Sequence, residues 1–305
     1  MTETRSDKNL FSAGRGVVGV DASARNLSAV EWAVRDALLQ GRPLHLLGVA
    51  HVGTDGAYTT FAAEETEDLL IQVKKRAVEL GANGEITTEV RFGTPPEELL
   101  KAQRPDDLLV LGRRGIGPLH RGLFGSTSSA MVERSRRPVV VVPDAWREDT
   151  VAVRSVVAAC DGTDHDMVVL DLAFREACAR GLRVVAVAAV DLLGLRDWAP
   201  FELERVSREA RMRLSEKVRR WRLELPDVTV SCWAPATGAA EAIVDASVDA
   251  GLVVLGRSAA VHHLLPGLSV THQVFSRVHR PIAVAPAPLP DPTDHLIDSD
   301  DAPEF

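Results

Sequence analysis

The chain carries the same run of landmarks twice, and that repetition limits its fold more than any other feature. The apolar run Gly16 to Val20, ending in Asp21, returns as Val156 to Cys160, ending in Asp161; Gly41, placed to stop a helix, returns as Gly181. Both pairs lie 140 residues apart. Leu108-Leu109-Val110-Leu111-Gly112-Arg113 returns 144 residues later as Leu252-Val253-Val254-Leu255-Gly256-Arg257. Arg137-Pro138 with four valines and Pro143 returns as Arg280-Pro281-Ile282-Ala283-Val284-Ala285-Pro286. Landmarks in one order at a nearly constant offset indicate a tandem duplication. The junction falls at Asp144 to Thr150.

Within the first copy, strand and helix signals alternate. Strands are predicted at 16–20, 44–50, 86–91, 108–111 and 139–142, because these runs are short, apolar or alternating, and bounded by Gly, Pro or polar residues. Leu27, Val30, Val34, Ala37 and Leu38 form a helical stripe, and Ser28 with Glu31 reads as a capping box. Gly53 to Thr60 reads as a loop before a longer helix carrying Leu69, Val73, Ala77 and Leu80. Thr94-Pro95-Pro96-Glu97-Glu98 reads as a helix start. Alternating strands and helices imply parallel sheets with right-handed crossovers. The predicted fold is α/β and Rossmann-like: two tandem doubly wound five-stranded parallel sheets packed as a pseudo-dimer. The expected organisation is a lead at 1–14, a first domain at 15–146, a second at 151–287 and a tail at 288–305.

In doubly wound sheets, ligands bind beyond the carboxyl ends of the strands where the winding direction reverses. The stretch 108–143 has what an anion site needs there. An apolar strand is followed by a loop holding Gly112, Gly115, Gly117, Gly122 and Gly125 among Arg113, Arg114, His120 and Arg121, then by a helix start at Ser126-Thr127-Ser128-Ser129. Glycines admit close backbone approach, helix-start amides point at an anion, and arginines add charge-assisted contacts. The sequence has no Gly-Lys pair, which excludes a P-loop. Gly14-x-Gly16-x-x-Gly19 matches a dinucleotide fingerprint but precedes the first strand rather than following it, so it reads as a decoy.

Gly112-Arg113-Arg114-Gly115, nine residues, then Gly125-Ser126 resembles the G-x2-G-x9-G-(S/T) signature of the ATP-binding branch of the universal stress protein family. Val18-Gly19-Val20-Asp21-Ala22-Ser23 is similar to that family's first strand and nucleotide-facing Asp, with Ala22 where Gly is commoner. The Arg137-Pro138-valine run resembles its last strand, which in the family pairs two domains edge to edge. The resemblance implies adenine and ribose contacts from Asp21 and Val49, or Val52 in an alternative register. It implies phosphate contacts from Gly112, Arg113, Gly115, Gly125, Ser126, Thr127 and Ser128. The implied cofactor is ATP, with accompanying Mg2+ left open.

The second copy departs from the pattern. Ala259 replaces Gly115, Leu268 replaces Gly125 and the segment is one residue shorter, so one intact site is expected, in the first half. His262-His263 and the Asp161, Asp164, His165, Asp166 group read as loop and helix-start residues rather than metal sites. Arg134, Arg136 and Arg137 read as complements to a helix dipole. The stretch Arg205 to Arg222 reads as a solvated helix face.

Charge narrows the partners. Net charge is −8, and Asp291, Asp294, Asp298, Asp300, Asp301 and Glu304 in the tail, without Lys or Arg, supply six of those charges. The near-neutral remainder argues against nucleic acid, the tail reads as disordered, and no apolar run reaches membrane-span length. Cys160, Cys178 and Cys232 lack metal-like spacing and read as reduced, buried thiols, which fits a cytoplasmic compartment. The expected function is an ATP-binding regulatory module in stress adaptation, in which ATP orders the 113–125 loop for an unknown protein partner. A homodimer of the chain is left open. Slow Mg-dependent ATP hydrolysis and a scaffold with a vestigial site are the alternatives. No Asp or Glu lies between Gly112 and Ser128, which favours sensing over turnover.

Overall fold

A computed structural model of the chain describes residues 14–21, 27–50, 56–113, 125–147, 153–188, 200–257 and 270–287. In chain order the elements of the first half are β1 (Gly16–Val20), α1 (Ser28–Gln40), β2 (Leu44–Ala50), α2 (Gly56–Glu79), β3 (Ile86–Phe92), α3 (Pro95–Ala102), β4 (Leu108–Gly112), α4 (Ser126–Arg134) and β5 (Val139–Val142). The second half runs β6 (Ser155–Cys160), α5 (Asp166–Arg180), β7 (Arg183–Ala188), α6 (Pro200–Lys217), α7 (Arg219–Glu224), β8 (Val230–Trp233), α8 (Ala239–Ala246), β9 (Ala250–Gly256), α9 (Val270–Arg277) and β10 (Ile282–Ala285).

The ten strands of the described residues share one sheet in the order β3-β2-β1-β4-β5-β10-β9-β6-β7-β8. Each half is a parallel five-stranded unit with the same internal order. The halves meet edge to edge where β5 and β10 pair antiparallel, with Val141 opposite Ile282, Val140 opposite Ala283 and Val139 opposite Val284. Both central strands are β-branched or small and fully buried, as strands covered on both faces must be. Their pairing removes two exposed edges that would otherwise template aggregation.

Alternate residues of the strands feed two cores. Val18, Leu46, Val110, Val140, Val156 and Val254 pack under α1, α2, α5, α6 and α7. Val17, Leu47, Leu109, Val141, Val157 and Val253 pack under α3, α4, α8 and α9. The period-two alternation of a strand assigns each side chain to one layer.

Helix ends follow local chemistry in most places. Gly41 and Gly181 take the left-handed conformation at the ends of α1 and α5, at φ 65° and 63°, where a side chain would be strained. Thr94 and Pro95 open α3 as expected. Two local readings need correction. No capping box forms at α1: the Ser28 hydroxyl donates to the Asp144 carbonyl at 2.8 Å and lies 2.9 Å from Arg147 Nη1, because the segment after β5 folds back over this helix end. The stretch expected as a loop to Thr60 is already helical from Gly56.

The halves also meet through charge. Arg180 of α5 lies 2.8 Å from Asp36 of α1 and 2.8 Å from Glu176, with its guanidinium 5.1 Å from the centre of the Trp32 ring. Gln40 donates to Asp36 at 2.8 Å and to Glu176 at 2.9 Å, and Arg42 Nε lies 3.1 Å from Asp36 Oδ2. That Arg42 contact is a charge contact, since neither Arg42 Nε nor Asp36 Oδ2 has an aligned hydrogen bond. Burial pushes the Glu176 carboxyl above its ordinary range; Arg180 opposes that rise and Asp36 adds to it. Both carboxylates are buried, so the cluster stands only because the buried Arg42 and the largely covered Arg180 lie against them.

Candidate functional site

β1 lies between β2 and β4, so the winding direction reverses between β1 and β4. In register, Gly16 faces Leu108 and Val18 faces Val110, which sets Val20 level with Gly112. On the other side Val20 pairs with Gly48, one residue before Val49. Asp21 therefore leaves its strand beside both Val49 and Gly112. Asp21 is exposed, Val49 and Gly112 are half-buried. Val49 follows His45 and Leu47 on one face of β2, the face that α3 and α4 cover.

The start of α4 closes this crevice. Gly125 is its N-cap in an extended conformation, and among the described residues no side chain caps this end. The first helical bond is Ser129 N–H to Gly125 carbonyl at 3.0 Å, which leaves the amides of Ser126, Thr127 and Ser128 ahead of the helical ladder. Ser126 is exposed and Thr127 half-buried, whereas Ser128 is buried and its hydroxyl donates to the Gly112 carbonyl at 2.8 Å. That bond fixes the helix start against the end of β4. The Gly125 N–H donates to the Arg113 carbonyl at 2.9 Å, so the glycine loop is pinched where it begins and ends. Gly115 and Val52 lie outside the described residues, as does His262-His263.

Arg113 differs most from expectation. Its backbone N–H donates to Val142 at the end of β5, but its guanidinium reaches across to the second half and donates to the carbonyls of Phe275 and Val278, 3.1 Å each. Arg257 does the same in reverse: its N–H donates to Ala285 at the end of β10, and its guanidinium donates to the carbonyls of Glu133 and Ser135, 2.8 Å each. Each arginine caps the last turn of the opposite half's helix, α9 or α4.

At the corresponding place in the second half, the described residues bond to one another. His165 donates through its Nε2–H to the Pro286 carbonyl at 2.8 Å. Its Nδ1 lies 3.2 Å from where a Cβ on Gly256 would sit. Asp161, the counterpart of Asp21, holds the Thr163 N–H at 3.0 Å and the Thr163 hydroxyl at 2.6 Å. The buried Asp166 accepts from the Asp161 and Gly162 amides, and Lys217 of α6 binds Asp166, Gly162 and Thr163 at 2.6–2.8 Å. Loop and helix start are thus tied to each other.

The Gly14, Gly16 and Gly19 series is a packing feature. A Cβ on Gly14 would stand 2.1 Å from the Asp106 carbonyl oxygen, and one on Gly19 would stand 2.5 Å from Leu111. Gly14 and Gly16 lie at the opposite end of β1 from Asp21, and Gly19 stands within the strand against Leu111 and Leu99. Of the cysteines, Cys160 alone is fully buried, with burial pushing its thiol well above its ordinary value; Cys232 is half-buried and Cys178 exposed. The expectation that all three are buried is thereby corrected. Among the described residues no helix is long and apolar enough to cross a membrane, and no group of three metal-ligating side chains occurs.

Residues 14–143 match the family model described as the universal stress protein family. Over 302 residues the chain is 30% identical to Universal stress protein Rv1996 of Mycobacterium tuberculosis, covering 89% of this chain and 95% of that one. This chain belongs to the universal stress protein family. A family member from Mycolicibacterium smegmatis is 31% identical over 252 residues, covering 79% of this chain and 85% of that one. The crystal structure of a universal stress protein from Archaeoglobus fulgidus superposes with a TM-score of 0.65 over 90% of this chain and 96% of that one. At 18% identity that similarity speaks for the fold alone.

In this family member, sequence reasoning pointed to the carboxyl ends of β1 and β4 and missed the bonds made at the corresponding place in the second half. By sequence His165 reads only as part of a helix start, and Lys217 lies in the stretch that reads as a solvated helix face, yet its ammonium is tied to Asp166, Gly162 and Thr163. The one signal for Arg257 is its retention where Ala259 and Leu268 replace the counterparts of Gly115 and Gly125.

Proposed function

We propose that the chain is a tandem-duplicated nucleotide sensor with one working site, in the first half, that takes an adenine nucleotide, ATP foremost. The observation that carries this reading is the convergence, at the ends of adjacent strands, of Asp21, Val49, Gly112 and the uncapped start of α4. A carboxylate on one lip suits ribose hydroxyls, and helix-start amides on the other suit phosphates. Gly112, Gly125, Ser126 and Thr127 serve the phosphates, through backbone amides and the free hydroxyls. Ser128 holds α4 to β4, and Arg113 acts through its backbone. Mg2+ accompanies the phosphates as their counter-ion. Occupancy alters the surface offered to a protein partner, and the output is regulation in stress adaptation within the cytoplasm.

The reading predicts one tight ATP site per chain in equilibrium titration, with affinity lost in Asp21→Ala. Two equal sites, or none for any adenine nucleotide, would overturn it.

A further inference from the structure

We infer that Arg257, in the second half, is a positioning residue for the nucleotide crevice of the first half, an inference that rests on the nucleotide reading of that crevice. α4 is nine residues long, about 13 Å. Its start faces the crevice and its end lies under Arg257. The last carbonyls of a helix lack partners within it, and a cation there complements the dipole whose other end attracts an anion. The guanidinium on Glu133 and Ser135 and a phosphate at Ser126 therefore stabilise the same helix from opposite ends.

The placement is firm. Arg257 follows β9, is tied by its N–H to β10, and β10 pairs with β5, the strand that α4 leads into. Arg134 and Arg136, the basic residues nearest this helix end in sequence, are exposed. Arg113 repeats the arrangement onto α9 and begins at the first residue after Gly112, so the crevice also touches the second half directly. Binding in one half and helix order in the other are consequently linked in both directions.

The test uses the full chain, with ATP titration and amide hydrogen exchange. Arg257→Ala is expected to weaken ATP binding about fivefold, about 1 kcal/mol, at unchanged stoichiometry. Without ligand, exchange is expected to rise at residues 131–137 and not across the protein. Arg257→Lys, which keeps the charge but not the planar guanidinium whose Nη1 donates to both carbonyls, recovers part of both effects. Arg280→Ala, which removes an arginine contact to the Val248 carbonyl away from α4, leaves affinity unchanged. Unchanged affinity in Arg257→Ala overturns the inference, and so does weakened affinity without the local rise in exchange. A rise in exchange spread over the whole protein reduces Arg257 to a general stabiliser and also overturns it. Absence of ATP binding in the wild type sinks the nucleotide reading instead, and the ligand-free exchange comparison then decides the helix contact alone.

Discussion

Replacing Arg180 with Met would test the charge cluster that joins α1 to α5. Met keeps much of the side chain's length over Trp32, so the main change is loss of the cation between Asp36 and Glu176. Both carboxylates are buried, and Arg42 remains as the only described cation beside them. Removing one partner of such a group costs about 3–5 kcal/mol, because a buried charge is left uncompensated. Against a total stability of about 5–15 kcal/mol, that is a large share. In urea, a slope of about 3 kcal/mol/M converts it to a midpoint drop of at least about 1 M, read from tryptophan fluorescence. The sign of the pH effect follows from Glu176. Its folded pKa is raised, so the stability it contributes is present below the unfolded value and is lost as pH rises through the folded one. Without Arg180, the chief opposing influence, that pKa rises further. The gap between Arg180→Met and wild type should therefore narrow on going from pH 8 to pH 5. Adding Glu176→Gln, which keeps a partner for Gln40, should restore part of the loss at pH 8. A midpoint within about 0.3 M of wild type at pH 8, or a gap that widens on acidification, refutes the reasoning.

Lys217→Met removes the ammonium from Asp166 and the carbonyls of Gly162 and Thr163, and should cost about 2–3 kcal/mol in thermal or urea unfolding while leaving one ATP site per chain. Gly14→Ala forces a Cβ against the Asp106 carbonyl and should cost about 1–3 kcal/mol, yet the folded variant should bind ATP with wild-type affinity, since this glycine lies at the far end of β1 from the crevice.

Local chemistry made most of the fold legible. Short Val- and Leu-rich runs mark strands buried on both faces, Gly41 and Gly181 mark helix ends that only glycine closes without strain, and Pro95 marks a helix start. Each signal is read within a few residues of where it acts. The same locality explains the errors. Ser28 and Glu31 have capping-box spacing, but the Asp144 carbonyl, brought over by the chain after β5, takes the Ser28 hydroxyl. Gly56 looks like loop material, yet it opens α2.

The sequence by itself determined the alternating α/β pattern of both halves, because periodicity and turn residues follow from neighbours in the chain; that β1 lies beside β4 is set by the packed sheet. Only the tertiary structure decided where the long charged side chains go. Arg113 reads as a phosphate ligand, and its guanidinium caps α9; Arg257 reads as the remnant of a decayed loop, and it caps α4. Arg180 looks like the basic last turn of a helix, and it neutralises a carboxylate 144 residues away. An arginine reaches far and carries its charge wherever folding takes it. Its partner is set by which helix end or buried carboxylate the packed sheet brings within reach, and no local pattern encodes that.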